Sequence, residues 1–254
     1  QAAELNENEV NVAVASNRFY SITRSVGRTA RIVSALSPES VERINIHSMN
    51  GDFEVAIVSL NRKEFDSADN KTGSSNELLS KSRMFANSSN PLYRNAEYQP
   101  TVNFPEFNWS MSPGLKHQIG GPEGFYLGQL YWLTDTTIKF KRNFSLYTSF
   151  GVNIYDTFDD FNNPSQSTIP RVRSDIQNYL EEGKNNIQRM QLEYFASPWK
   201  DVFLRADLGL LEEMFAGVGG EILYRPFNRK VAFGLSAHRV RQRDYDQRFS
   251  LRDY

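Results

Sequence analysis

Residues 208–226, LGLLEEMFAGVGGEILYRP, constrain this chain more than any other stretch. Just upstream, Val202, Leu204, Ala206, Leu208 and Leu210 fall on alternate residues, with Arg205 and Asp207 between them. Downstream, Gly220, Ile222 and Tyr224 alternate with Glu221 and Arg225. A period of two sends successive side chains to opposite faces and is the mark of a strand. Ala216, Gly217, Gly219 and Gly220 offer the backbone freedom to reverse direction. The spacing therefore predicts a long hairpin with the glycines at its corner, apolar on one face and charged on the other. Such a hairpin has two homes. In a soluble sandwich the apolar face is core; in an outer-membrane barrel it meets lipid and the charged face lines the lumen.

The N-terminal part reads differently. Residues 10–16, VNVAVAS, alternate as a strand. Residues 20–36 place Ile22, Val26, Ile32, Val33 and Leu36 near helical spacing, although Gly27 weakens that helix by about 1 kcal/mol against Ala. Residues 41–48 and 52–60 are two further strands joined at Asn50-Gly51, a strong hairpin signal. Residues 1–65 are thus expected to form a small βαββ domain. Residues 66–105, rich in Ser, Asn and Lys and without a sustained period, read as a linker with a short helix near 78–85.

Residues 106–254 read as a run of hairpins: strands over 107–119, 125–141, 144–155, 187–196, the two arms of the long hairpin, and 231–241. The third is the cleanest. Phe144, Leu146, Thr148, Phe150, Val152 and Ile154 share one face, and Ser145, Tyr147, Ser149, Gly151 and Asn153 the other. The connections alternate in length. Arg142-Asn143, SPWKD and PFNRK are short, 156–186 is long, and GGPEG and EEMFAG lie between. If the α/β domain is periplasmic, every short turn falls on the periplasmic side, which is the asymmetry of a transmembrane barrel. The strands also reach the length needed to cross a membrane obliquely. The fold expected is mainly β: an antiparallel transmembrane β-barrel portion preceded by a small βαββ periplasmic domain. Seven strands do not close a bacterial barrel, and an open edge in lipid leaves backbone groups unsatisfied. Closure is expected from the remainder of the same chain or from a partner chain.

Composition removes several function classes. The formal net charge is −1, so no global field points to nucleic acid or to an anionic membrane surface. Without Cys there are no disulfides and no cysteine-ligated metal. No run of about 18 apolar residues exists to form a membrane helix. The chain opens at Gln1, with neither Met nor a signal-peptide pattern, as expected of a processed protein or of a piece of a longer one.

GGPEGFY at 120–126, IPRVRSDIQNYL at 169–180, GLLEEMFAGVGGEILYRP at 209–226 and RQRDYDQ at 241–247 resemble the YjbH family. These are bacterial outer-membrane β-barrel proteins encoded with exopolysaccharide and capsule genes. The resemblance covers residues 107–254 well, and the α/β domain matches in order and size. It implies a longer protein with one barrel portion before the α/β domain and a second after it. It implies a process, polysaccharide export, and no catalytic residues. The function expected is therefore that of a non-enzymatic outer-membrane component of exopolysaccharide or capsular polysaccharide secretion. Its partners would be polysaccharide, other secretion proteins and outer-membrane lipid. The alternative is a soluble periplasmic carbohydrate-binding β-protein, with the same apolar faces packed into a core. The exposure of Phe144, Leu146, Phe150 and Val152 separates the two.

Few residues suggest chemistry. His47, His117 and His238 lie in different segments without metal-ligand spacing and read as surface or lumen residues. Glu212 and Glu213, adjacent on a strand, would point to opposite faces and so could not flank one glycosidic bond. Glu181 and Glu182 sit in an insertion. There is no nucleophile elbow, P-loop or dinucleotide fingerprint, and no cofactor is expected. By parity Arg205, Asp207, Glu221 and Arg225 face away from the apolar side. They would either salt-bridge one another or form a polar track for sugar hydroxyls. Arg171 and Arg173, in PRVRSD, read as a packed loop or a lumen constriction. Arg241, Arg243 and Asp244 read as charges at a strand end. Trp109, Trp132 and Trp199 read as an interfacial belt or as sugar-stacking residues.

Overall fold

The Asn50-Gly51 corner is where the first sheet turns back on itself. In the computed structural model, described for residues 2–15, 21–51, 53–88, 92, 95–99, 101–119, 126–158 and 176–252, Gly51 has φ +59°. It joins β3 (Arg43–Asn50) to β4 (Phe53–Asn61). Before them come β1 (Ala2–Asn6), β2 (Glu9–Ala15) and α1 (Ile22–Leu36). After them come α2 (Arg62–Asp69), α3 (Ser75–Lys81) and β5 (Arg83–Ala86). The five strands form one sheet in sequence order. β2 and β3 are parallel and the other neighbours antiparallel. The parallel pair needs a crossover, and α1 supplies it.

The core of this unit lies between the helices and one sheet face, with Val10, Val26, Ala30, Ile44, Ile46, Val58 and Leu60 buried together. Helix α1 buries Val26, Ala30 and Ser34, which recur every four residues. Of the apolar set read from sequence, Val26 is buried and Val33 packs against the core. Ile22, Ile32 and Leu36 are 41, 62 and 81% exposed. The buried stripe is built from small residues, which let helix and sheet approach closely and which a count of large apolar residues passes over.

The end of α1 is closed from outside the helix. Arg62 donates to the carbonyls of Ser34 (2.8 Å), Ser37 (3.2 Å), Pro38 (2.5 Å) and Val41 (3.2 Å). These include oxygens that a helix C-terminus leaves without partners. Arg62→Ala is expected to cost roughly 2–3 kcal/mol, because charged donors leave several carbonyls at once. Hydrogen exchange of the last turn of α1 reads it; unchanged protection there would refute this role.

Residues 66–105, expected as a linker, carry the end of α2, all of α3, and β5 paired along β4 from Ala56↔Ala86 to Ser59↔Arg83. The helix expected at 78–85 lies at Ser75–Lys81, started by a capping box of Ser74 and Glu77. Helix α3 buries none of its residues, so its composition is that of an outer layer and imitates a linker. On the other face of the sheet, Ala2, Ala13, Met49 and Ala96 make a small second core. His47, expected at a surface or in a lumen, is buried there, with Nδ1 2.7 Å from Glu54 Oε2. The other oxygen of Glu54 accepts the Ser88 N–H at 2.6 Å.

The second sheet has seven strands in sequence order. They are β6 (Glu106–Ile119), β7 (Tyr126–Lys141), β8 (Phe144–Asp156), β9 (Asn186–Trp199), β10 (Val202–Leu210), β11 (Phe215–Tyr224) and β12 (Phe233–Gln242). Antiparallel register from β6 to β9 sorts side chains by face. Phe107, Trp109, Met111 and Leu115 of β6 share the face of Ile138, Trp132, Phe150 and Val152. The β6 four are 53–69% exposed, and Phe150 and Val152 are 36 and 54% exposed, while Phe144 and Leu146 are half-buried. The expected barrel is not closed among the described residues: β6 and β12 are the two edges of an open sheet.

The long hairpin turns elsewhere than expected. Its corner is Leu211–Met214, where the N–H groups of Leu211 and Glu212 both reach Phe215 O at 3.0 and 3.1 Å. Gly217, Gly219 and Gly220 lie inside β11. The glycine with positive φ in this region is Gly209, at +137°. Ideal Cβ atoms would fall 2.2 Å from Arg239 O at Gly217 and 2.0 Å from the His238 ring at Gly219. The glycines therefore serve close approach of β12 rather than reversal.

Past β12, Arg243 is fully buried, against its expected place among charges leaving an apolar zone. It donates to the carbonyls of Glu212 (2.7 Å), Arg248 (3.0 Å) and Gln247. Burial holds its guanidinium down to about 10. The Arg243 carbonyl accepts the hydroxyl of Tyr179 in α4 (Ile176–Glu182) at 2.5 Å, and Gln247 is bonded to Tyr179 O and Asn186. Residues 120–125 and 159–175, which include the GGPEG loop and Arg171 and Arg173, lie outside the described residues.

The chain divides into two compact units. One is Gln1–Val102 with Ser197–Phe203 and Leu223–Phe233; the other is Asn103–Ala196, Leu204–Ile222 and Gly234–Tyr254.

Candidate functional site

The face of the seven-stranded sheet opposite the exposed apolar side chains carries the polar groups. On β8 and β9, Ser145, Tyr147 and Ser149 stand opposite Glu193, Gln191 and Arg189. Tyr147 donates its hydroxyl to Asp135 Oδ1 at 2.8 Å, and the Arg189 guanidinium lies 5.8 Å from the Tyr147 ring centre. On β10, Arg205 Nη2 donates to Glu193 Oε1 at 2.9 Å, and its Nε lies 3.9 Å from Asp207 Oδ1. That carboxylate is 4% exposed and lies 3.5 Å from His238 Nε2 of β12. Lys116 of β6 pairs with Glu213 in the Leu211–Met214 turn.

These groups surround a cavity of about 380 Å³ lined by Arg189, Gln191, Arg205, Asp207 and His238. The nearly buried Asp207 has the Arg205 guanidinium on one side, the cation a desolvated carboxylate needs, and the His238 ring on the other. Arg205 Nε makes no hydrogen bond although it is buried, so one directional donor is left over. Chemically this is a fixed lattice of donors and acceptors, able to hold hydroxyl-rich ligands in water-mediated contacts. Among the described residues no group of three or more His, Asp or Glu is placed to hold a metal ion.

The residues singled out from sequence fare differently. Arg205 and Asp207 meet, in the salt-bridged arrangement. Glu221 shares a strand and, by parity, a face with Gly219, which borders His238 and Asp207; it is exposed. Arg225 belongs to the other unit, exposed in the turn before β12, with its N–H donating to Asp201 O at 2.8 Å. Parity does not reach it, because β11 ends at Tyr224. Glu212 and Glu213 sit in the turn and not on a strand, so the opposite-faces argument does not apply to them. Glu193, Gln191 and Arg189 were missed, although they alternate with Met190, Leu192 and Tyr194 in the period used elsewhere. His238 joins the site through strand order, which one sequence does not display.

A family model described as "Exopolysaccharide biosynthesis protein YbjH" matches residues 1–254. The chain belongs to the YjbH family. The match takes in the α/β unit as well as the seven-stranded sheet, beyond the four motifs that carried the resemblance. Among curated proteins, the "Uncharacterized lipoprotein YjbH" of Escherichia coli (strain K12) is 36% identical over 151 residues, which are 57% of this chain and 21% of that protein. The chain thus spans about a fifth of the length of this relative. No solved structure matches. YjbH membership ties the chain to exopolysaccharide biosynthesis, and that tie rests on the whole length rather than on the polar face alone.

Proposed function

We propose that the chain is part of a non-enzymatic outer-membrane component of exopolysaccharide or capsular polysaccharide secretion. Its seven strands form part of a transmembrane barrel, and its five-stranded α/β unit is periplasmic. The observation that carries this reading is the sorting of side chains by register. Trp109, Met111, Leu115 and Val152 stand exposed on one face, and the ion-paired Arg205, Glu193 and Asp207 stand on the other. Apolar exposure continued over neighbouring strands exceeds what soluble monomers leave to water, and lipid is the solvent that fits it. The edges at β6 and β12 then require further strands, from the remainder of the longer protein or from a partner chain. The relative's name, a lipoprotein, agrees with a membrane location. Trp109 and Trp132 fit an interfacial belt. The polar face, with Arg205 and Asp207 at its centre, lines the lumen and contacts glycan.

The test is fractionation of the full-length protein, with heat-modifiability of its gel mobility. Recovery in the outer-membrane fraction, with a heat-dependent shift, is expected; recovery as a soluble periplasmic protein would overturn the reading. In the same assay Arg205→Ala is expected to lower stability by about 1–3 kcal/mol, because it takes a cation from beside the nearly buried Asp207, and to lower polymer export per assembled protein.

A further inference from the structure

The five-stranded sheet has a polar row of its own, on the face away from α1. Side chains alternate, so Val10 enters the core while Glu9 and Asn11 take the other face. Register then aligns Asn11 of β2 with Asn45 of β3, Asn45 with Ser59 of β4, and Ser59 with Arg83 of β5. One polar side chain per strand stands in a straight line, at the strand spacing of about 4.8 Å. β1 prolongs the line with Glu4, opposite Asn11. On one side of it Ile57 stands opposite Phe85, whose ring is 47% exposed. Between them runs an open groove of about 640 Å³.

The groups along the groove are held by their inner atoms. Asn45 Nδ2 donates to Glu9 Oε2 at 3.0 Å and to Asn11 Oδ1 at 3.1 Å, and Arg43 Nη1 donates to Glu9 Oε1 at 2.8 Å. Lys81, at the rim, is paired with Glu64. Among the described residues this leaves the Asn11 amide N–H groups, the Asn45 carbonyl oxygen and the Ser59 hydroxyl without hydrogen bonds, and Arg83 without a carboxylate. Donors and acceptors at short, regular intervals beside an exposed aromatic ring suit a sugar, whose hydroxyls both give and take hydrogen bonds and whose C–H face packs on a ring. A polyphosphate or nucleic acid asks for several unpaired cations. Here Arg83 alone in the row offers one, and Glu4 and Glu9 oppose an anion at the far end.

We infer that this row binds an acidic oligosaccharide laid across the strands, with a sugar carboxylate on Arg83 and that sugar's ring against Phe85. The inference goes beyond the secretion reading and needs neither a membrane-spanning sheet nor passage of polymer. A failed fractionation test would leave it standing, and its own failure would leave the secretion reading untouched.

The experiment is calorimetric titration of the full-length protein in detergent with three probes: a hexagalacturonate, neutral maltohexaose, and hexaglutamate of matched charge. Saturable binding of hexagalacturonate is expected, with maltohexaose weaker and hexaglutamate inert. Arg83→Ala and Phe85→Ala, on solvent-exposed positions, should each weaken it by about tenfold, the loss of one charged hydrogen bond or one ring contact. Absence of saturable hexagalacturonate binding, equal binding of hexaglutamate, or affinity unchanged in both variants would each overturn the assignment.

Discussion

Arg243→Ala is expected to cost roughly 3–5 kcal/mol and to release the segment around α4 from the end of the seven-stranded sheet. The reason is the number of chain segments that meet at one guanidinium. Its two terminal nitrogens reach the Glu212 carbonyl in the β10–β11 turn and the Gln247 and Arg248 carbonyls in the C-terminal loop. The Arg243 main chain donates to Met214 O at 2.8 Å and accepts from Tyr179. Gln247 then ties the same loop to Asn186, at the start of β9. Truncation leaves buried carbonyls without donors and opens a void among them, and each unsatisfied group costs about 1–3 kcal/mol. Arg243→Lys should recover little, because an ammonium cannot span carbonyls on two separate segments. Urea unfolding, with trypsin cleavage after Arg248 as a local reporter, measures both. If Arg243→Ala unfolds within about 0.5 kcal/mol of the parent, the range of ordinary surface changes, the network is not what holds this end.

What was legible in the sequence follows from where a single rule governs. Strand β8 was expected at 144–155 and runs Phe144–Asp156, because alternation is written directly in its residues. Alternation also put Arg205 and Asp207 side by side, and it would have added Glu193 from β9 by the same reasoning. His238 enters only once β12 is known to lie beside β11. The buried stripe of α1 escaped because Ala30 and Ser34 carry no hydrophobic signal, while the louder Ile32 and Leu36 face out. α3 was expected as a short helix, but at 78–85 instead of Ser75–Lys81, because its polar composition matches its exposed position, and β5, the four residues RMFA, escaped because it is too short to display a period. Gly51 was read correctly, since a positive φ and a two-strand reversal coincide there. At Gly217 and Gly219 the same residue type answers a different demand, room for a neighbouring strand, and local sequence does not tell the two apart.

That distinction gives the second large effect. Gly217→Val is expected to abolish assembly of β11 against β12, while Gly219→Ala is expected to be tolerated. A Cβ at Gly217 would lie 2.2 Å from Arg239 O and 2.9 Å from Val240 Cα. Both are backbone atoms of the adjacent strand, so relief demands that the strands part, and a branched side chain exceeds the ordinary overpacking cost of about 1–3 kcal/mol. At Gly219 the obstacles are side-chain atoms: the His238 ring, whose side chain is 41% exposed and can swing outward, and Asp207 Oδ2, which at 2.9 Å must shift slightly. The price there is the 3.5 Å contact with Asp207, a carboxylate that keeps Arg205 nearby. Under the hairpin-corner reading the order would differ, with both positions suffering together through their backbone angles. Heat-modifiability and protease resistance of the full-length variants separate the cases. Gly217→Val at parental levels, or Gly219→Ala as damaged as Gly217→Val, would refute close strand approach as the reason these glycines are there.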